Sequence, residues 1–121
     1  MDTRPIVQLD LNGTVHAYTK GWVREEPLYD PPTEGFEEWA RTVGQEFRLV
    51  IYPAHMNTPR DFRRIKKWFR KHALDHLGLE LASESPRGLR LKIDDRAVAF
   101  TGDWRDYPIE MLRGFKTWSG R

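Results

Sequence analysis

The fold is decided by the stretch Ile6-Val-Gln-Leu-Asp10-Leu-Asn12-Gly13-Thr14. Its first four residues are typical of a short buried strand, and a carboxylate follows directly at the carboxyl end of that strand. Gly13 allows a sharp turn where a side chain would obstruct the approach of another segment. Because ligands of open parallel sheets bind outside the carboxyl ends of the strands, Asp10 is a candidate functional residue. An ordinary turn rich in Asp, Asn and Gly is the alternative interpretation.

A second stretch repeats this pattern near the other end of the chain: Leu91-Lys-Ile93-Asp94-Asp95-Arg96. Here a short strand is predicted to end in two adjacent carboxylates. Predicted strands alternate with predicted helices between the two stretches, which indicates an α/β domain with a mostly parallel sheet. Strands are predicted over 6–9, 47–52, 79–82 and 88–93, with a brief final strand over 97–100, and a short helix is predicted over 108–115.

Local signals set the boundaries of the two longer predicted helices, one between Thr33 and Gly44 and the other between Thr58 and Gly78. Thr33 and Thr58 are residue types that cap helices, and Pro59 is favoured at the first helical position. Gly44 and Gly78 are predicted to end the two helices, because glycine is the usual residue just beyond a helix end.

Three further segments carry weaker predictions. Residues 14–23 are predicted to form a flap or hairpin over the carboxyl end of the sheet, with a plain surface loop as the alternative. The predicted strand over 88–93 alternates apolar and basic residues, so one of its faces is expected to be thinly covered or near a sheet edge. The residues after 115 are predicted to be frayed.

Composition bounds the class of protein. The 121 residues suit one domain, 1–121, and 39% of them are hydrophobic, enough for a single core. The absence of cysteine excludes disulfides and thiolate metal sites. No leader pattern and no long apolar run is present, so a cytoplasmic protein without a membrane partner is expected. The 20 basic and 18 acidic residues are unevenly placed along the chain.

Together, the two carboxylate-bearing stretches resemble the first and fourth motifs of the haloacid dehalogenase-like (HAD) hydrolase superfamily. The longer stretches Asp10–Trp22 and Ile93–Trp104 are similar to a small capless branch of this family that is found in phage and bacterial genomes. The resemblance covers nearly the whole chain. It implies a three-layer domain with helices on both faces of the sheet, strands ordered four-one-two-three, and no inserted cap domain.

The resemblance also implies a chemistry. The family's first aspartate attacks phosphorus and forms an aspartyl-phosphate, and Asp10 stands in that position. Mg²⁺ would lie between Asp10, the backbone carbonyl of Asn12, and Asp94 or Asp95, because hard oxygen ligands suit this ion. The substrate would be a small phosphorylated molecule.

Three departures from the family pattern weaken this chemistry. Asn12 occupies the position of the general acid/base, and an amide cannot shuttle a proton. Pro53 and Ala54 stand where the second motif needs a hydroxyl, and Ser85 stands where the third motif needs a lysine. The candidate substitutes for binding phosphate are Thr14, His55, Thr58 and Arg87, although a helix cap explains Thr58 and solvated surface positions explain His55 and Arg87.

The second helix is strongly basic over 59–76. Arg63, Lys66, Lys67 and Arg70 are candidate contacts to a nucleic-acid backbone. A solvated helix face, whose aliphatic stems cover apolar surface, is the alternative.

Two functions remain open from the sequence. One is a degenerate or weakly active Mg²⁺-dependent phosphohydrolase of the HAD-like fold. The other is a catalytically inactive binding or structural module, with nucleic acid as a candidate partner of the basic helix.

Overall fold

Four short parallel strands form one sheet in the order β3-β2-β1-β4. The structure is a computed structural model that describes all 121 residues. The strands are β1 (Ile6–Leu9), β2 (Arg48–Ile51), β3 (Glu80–Leu81) and β4 (Leu91–Ile93). The predicted α/β class and the predicted strand order are therefore confirmed. No strand forms over 97–100, so that prediction is wrong.

The register brings the two carboxylate-bearing strands side by side. Leu9 of β1 pairs with Ile93 of β4, and the backbone N–H of Asp10 donates to the carbonyl of Ile93 at 3.0 Å. Because the strands are parallel, both carboxyl ends lie at the same edge of the sheet. All three residues of β4 are exposed, which agrees with the prediction of an edge position.

The longer helices are α1 (Phe36–Val43) and α2 (Pro59–Lys71), and the short α3 spans Ile109–Gly114. Thr58 caps α2 as predicted: its hydroxyl accepts from the backbone N–H of Asp61, whose carboxylate accepts from the backbone N–H of Thr58. The prediction that Thr33 caps α1 is wrong, because its hydroxyl instead donates to the carbonyl of Thr14 at 2.7 Å. Gly35, with a φ of +82°, stands before the first residue of α1.

The end of α2 lies earlier than Gly78, which corrects the predicted boundary. The backbone N–H of Leu74 donates to the carbonyl of Phe69, and that of Ala73 to the carbonyl of Arg70. This pair of bonds is a Schellman motif, and it places Ala73 at a φ of +55°. Leu74 is 1% exposed, so burial of this side chain fixes the turn without a glycine.

One hydrophobic cluster joins the sheet to both longer helices. Its strand residues are Val7, Leu9, Leu49 and Ile51, which share one face of the sheet. Phe36 and Ala40 of α1 and Ile65, Trp68 and Phe69 of α2 belong to the same cluster. Two successive right-handed crossovers in the same direction place both helices on this face.

The opposite face of the sheet meets a loop. The return from β3 to β4 passes this face through residues 82–90, and the Ser85 hydroxyl donates to Gln8 Oε1 at 2.6 Å. No residue of α3 is buried. The helical layer predicted for this second face is therefore not confirmed. Every helix is too short or too polar to cross a lipid bilayer.

Candidate functional site

Three carboxylates converge where β1 and β4 end. Asp10, Asp94 and Asp95 each place an oxygen within 4.8 Å of the other two. The convergence follows from the β1–β4 pairing, which sets Asp10 beside the residues that follow Ile93. The sequence prediction that these side chains lie together is confirmed.

The three charges act on one another. Burial, followed by the negative charges of Asp94 and Asp95, raises the pKa of Asp10 to about 7. The backbone N–H of Leu11 opposes this shift by donating to the ionised carboxylate. Asp10 therefore holds a proton well above the usual range of a carboxyl group, and a bound cation would favour its release.

Gly13 is required by the close approach of Asp95. It has a φ of +88°, and a Cβ at this position would clash with the Asp95 carboxylate. That side chain is 4% exposed, and its Oδ2 lies 3.2 Å from a guanidinium nitrogen of Arg121. Only glycine satisfies both the left-handed backbone and the contact.

The segment after α3 packs on the first motif, so the prediction of a frayed tail is wrong. Trp118 Nε1 donates to the carbonyl of Gly13 at 2.7 Å, and Thr117 is buried. The Arg121 guanidinium also lies over the ring of Tyr18, 4.5 Å from its centre. The contacts of Trp118 with Gly13 and of Arg121 with Tyr18 join residues about a hundred positions apart, so no local sequence pattern predicted them.

A buried histidine fixes the orientation of Asn12. His16 is fully buried, and its Nε2 accepts from the backbone N–H of Asp30 at 3.1 Å. A backbone N–H is always a donor, so the proton of the neutral ring sits on Nδ1 and is donated to Asn12 Oδ1 at 2.9 Å. Burial lowers the pKa of His16 to about 4, which keeps the ring neutral. The amide NH₂ of Asn12 is thus left as a donor.

The acids open into a cleft of about 580 Å³. Its walls include the acidic residues and Asn12, the aromatic side chains Tyr18 and Trp22, the segment 53–56, and two cations, Arg96 and Arg121. Tyr18 and Trp22 belong to segment 14–23, so this segment borders the carboxyl end of the sheet as a flap would. It is held by single bridges from His16 to Asn12 and to Pro32 rather than by a hairpin of strands.

The candidate phosphate ligands separate in space. His55 lines the cleft. Thr14 does not line the cleft, and its buried hydroxyl has no hydrogen-bond partner. Thr58 is engaged in the cap of α2, and Arg87 is exposed on the loop opposite the helices; neither lines the cleft. Arg96 and Arg121, which sequence reasoning did not select, are the two arginines that border the acids.

The basic residues of α2 occupy the helix surface away from Ile65, Trp68 and Phe69. Arg63, Lys66, Lys67 and Arg70 are all exposed, as expected for candidate contacts. No protein family model, no curated protein and no solved structure matches the chain.

Proposed function

We propose that the chain is a degenerate HAD-like protein that binds Mg²⁺ and a phosphoester in the cleft and turns the ester over very slowly. The observation that carries the proposal is the convergence of Asp10, Asp94 and Asp95 within 4.8 Å. In this proposal the sheet is a reduced form of the three-layer HAD-like arrangement, with the loop 82–90 in place of the second helical layer.

The donor set fits a hard divalent cation. Asp10 and Asp94 supply carboxylate oxygens, and the Asn12 backbone carbonyl is the third donor in the proposal. Asp94 is exposed, and one of its oxygens accepts from the backbone N–H of Arg96 at 2.8 Å, which leaves the other for a metal. Asp95 is partly neutralised by Arg121, so we assign Asp94 as the stronger of the two candidate ligands. Bound Mg²⁺ would reduce the repulsion between these carboxylates and an incoming phosphate.

The remaining residues define what the site can do. In this proposal Asp10 acts as the nucleophile, and the Asn12 NH₂ can donate a hydrogen bond to a leaving oxygen but cannot protonate it. Loss of a general acid/base typically slows a reaction by roughly 10²–10⁴-fold. Arg96 and Arg121 border the cleft and provide positive charge, and His55 adds a ring that can hydrogen-bond, where the family uses a hydroxyl and a lysine.

Calorimetry and thermal unfolding test the metal site. We expect Mg²⁺ to bind weakly; for a Kd near 1 mM, 10 mM Mg²⁺ stabilises the chain by about 1.4 kcal/mol. Asp10→Asn should abolish this response, whereas Glu46→Gln, an isosteric loss of charge at an exposed position, should preserve it. An equal response from all three proteins would remove the metal site from the proposal.

The second candidate is a binding module with no turnover. It is favoured by the His16–Asn12 hydrogen bond, because a neutral histidine whose Nε2 already accepts a backbone N–H has no role in proton transfer to the cleft. Turnover of an aryl phosphate at high enzyme concentration separates the two. Slow turnover that is lost in Asp10→Ala supports the first candidate. An absence of turnover in both wild type and Asp10→Ala supports the second. Fast turnover, also lost in Asp10→Ala, contradicts both.

A further inference from the structure

The cleft adjoins a second depression, because two residues line both. The shared residues are Trp22 and His55, and the second depression adds the cations Arg24, Arg60 and Arg64. Trp22 is 53% exposed and stands between the two. A ligand longer than the cleft would therefore pass Trp22 and reach the start of α2.

A third depression extends this path along the helix. It shares Arg64 with the second and is lined further by Lys67 and Lys71. Arg60, Arg64, Lys67 and Lys71 are spaced by four, three and four residues, which places them on one flank of an α-helix. The row is about 16 Å long.

The charge along the path is positive. None of the four cations makes an ion pair with an acidic side chain, and neither does Arg24. Three acids, Glu25, Glu26 and Asp61, border the same depressions. Asp61 is engaged in the helix cap, so its carboxylate is directed at Thr58. Five cations against three acids leave the path net positive.

We propose that this row binds the backbone of a single-stranded nucleic acid whose terminal phosphate lies in the cleft, an inference that rests on the proposed function. The cations bind successive phosphates, and Trp22 stacks on the base nearest the cleft. A single strand fits better than a duplex, because stacking on a side chain requires an unpaired base. An exposed tryptophan that opens a regularly spaced row of cations also favours nucleic acid over an acidic peptide.

The other flank of α2 provides a matched control. Arg63, Lys66 and Arg70 are exposed, as Arg60, Lys67 and Lys71 are, but they border neither of the two depressions. Arg60→Ala/Arg64→Ala/Lys67→Ala and Arg63→Ala/Lys66→Ala/Arg70→Ala each remove three charges from the same helix. Their net charges are identical, so a difference between them reports position rather than general attraction.

The probe is a fluorescein-labelled dodecathymidylate, measured by anisotropy from 50 to 200 mM salt. The first triple variant should weaken binding at least tenfold and reduce the slope of log K against log salt by about 2. The control triple should change affinity less than threefold. Trp22→Ala should weaken binding about fivefold, with Trp22→Phe close to wild type, and Glu26→Gln should tighten it. Equal losses in the two triples would overturn the proposal, as would equally effective competition by polyglutamate.

The end group distinguishes this proposal from the proposed function. Oligonucleotides with a phosphate or a hydroxyl at the unlabelled end are compared in 10 mM Mg²⁺, for wild type and Asp10→Asn. A gain in affinity that depends on the terminal phosphate and is seen only in wild type supports both proposals. If the row variants weaken binding but the end group has no effect, the cleft does not hold the terminal phosphate and this placement fails; the Mg²⁺ response of Asp10→Asn then decides the proposed function separately. If Mg²⁺ binds through Asp10 and no oligonucleotide binds, the nucleic-acid proposal alone fails.

Discussion

At the scale of single residues, Asn12 shows how one amide can be fixed by a distant backbone group. The N–H of Asp30 determines the tautomer of His16, and that tautomer determines which end of the Asn12 amide accepts. The site therefore presents a donor where a proton shuttle would stand. The absence of a shuttle does not depend on how the side chain rotates.

Restoring a carboxylate at this position should not restore an efficient enzyme. We expect Asn12→Asp to raise the turnover of an aryl phosphate by less than about tenfold. Charge stabilisation of the transferring group would still rest on Arg96 and Arg121, and groups that act together are strongly non-additive. Steady-state kinetics of wild type, Asn12→Asp and Asp10→Ala measure this. A gain of several hundredfold would show that the acid/base group was the main deficiency.

Removing the charge of Asp94 should stabilise the metal-free protein. Burial raises the pKa of Asp10 most, and repulsion by Asp94 and Asp95 adds to it. Asp94→Asn relieves part of this repulsion, so we expect metal-free protein at pH 8 to gain about 0.5–1 kcal/mol in free energy of unfolding. The same variant should lose most of its stabilisation by Mg²⁺. Urea unfolding with chelator and with 10 mM Mg²⁺ gives both values. Glu46→Gln is the control, and a metal-free Asp94→Asn protein less stable than wild type would contradict the repulsion argument.

At the scale of elements, α2 ends where a buried leucine requires it to. Leu74 is held in the core, so the residue before it takes a left-handed backbone although it is alanine. Capping signals alone predicted Gly78, because glycine is the common residue at such a turn. The Schellman bonds and the burial of Leu74 outweigh the unfavourable backbone of Ala73, which costs about 1 kcal/mol.

The positive φ of Ala73 predicts that glycine at this position stabilises the protein. Ala73→Gly removes the contact between Cβ and the backbone at positive φ, and we expect the free energy of unfolding to rise by about 1 kcal/mol. Urea midpoints measure the change. Ala97→Gly, at a loop residue without a positive φ, should leave stability unchanged or lower it. A decrease for Ala73→Gly would mean that chain entropy, rather than steric strain, dominates at this turn.

At the scale of the whole molecule, two buried titrations oppose each other. The pKa of His16 is lowered to about 4, so between pH 4 and 6.5 the unfolded chain binds a proton that the folded chain does not, and stability rises with pH. The pKa of Asp10 is raised to about 7, so between about pH 4 and 7 the folded chain binds the extra proton, and stability falls with pH. Burial also lowers the pKa of His72, which adds to the effect of His16.

Because Asp10 opposes His16 while the smaller effect of His72 remains, the stability of metal-free wild type should rise only modestly between pH 4 and 6.5. Asp10→Asn removes one of the opposing groups, and we expect its stability to rise with pH by up to about 1.4 kcal/mol per pH unit. Urea unfolding in chelator at half-unit intervals measures both curves. Parallel curves for the two proteins would show that Asp10 titrates normally.

The sequence predicted the strands that carry the acids, and it missed the contacts that other segments make with the site. Asp10 and Asp94 each follow a segment with a strand pattern, but the strand order that brings them together was implied by the family resemblance; the pairing of β1 with β4 confirms it. His16 and Trp118 carry no such pattern; their roles arise from contacts with Asp30 and Gly13 that only the folded chain defines. The helical layer expected on the second face is not confirmed, and the loop of residues 82–90 meets that face through Ser85.

The pairing of β1 with β4 has a consequence for the chain as it is made. Asp94 is synthesised 84 residues after Asp10, which at about 5–20 residues per second is a delay of roughly 4–17 s. During this time the growing polypeptide can pair β1 with β2 but leaves the other edge of β1 open to strands of neighbouring chains. We therefore expect the yield of soluble protein in expression to rise at low temperature or with added chaperones, because β4 protects that edge only after residues Leu91–Ile93 have been made.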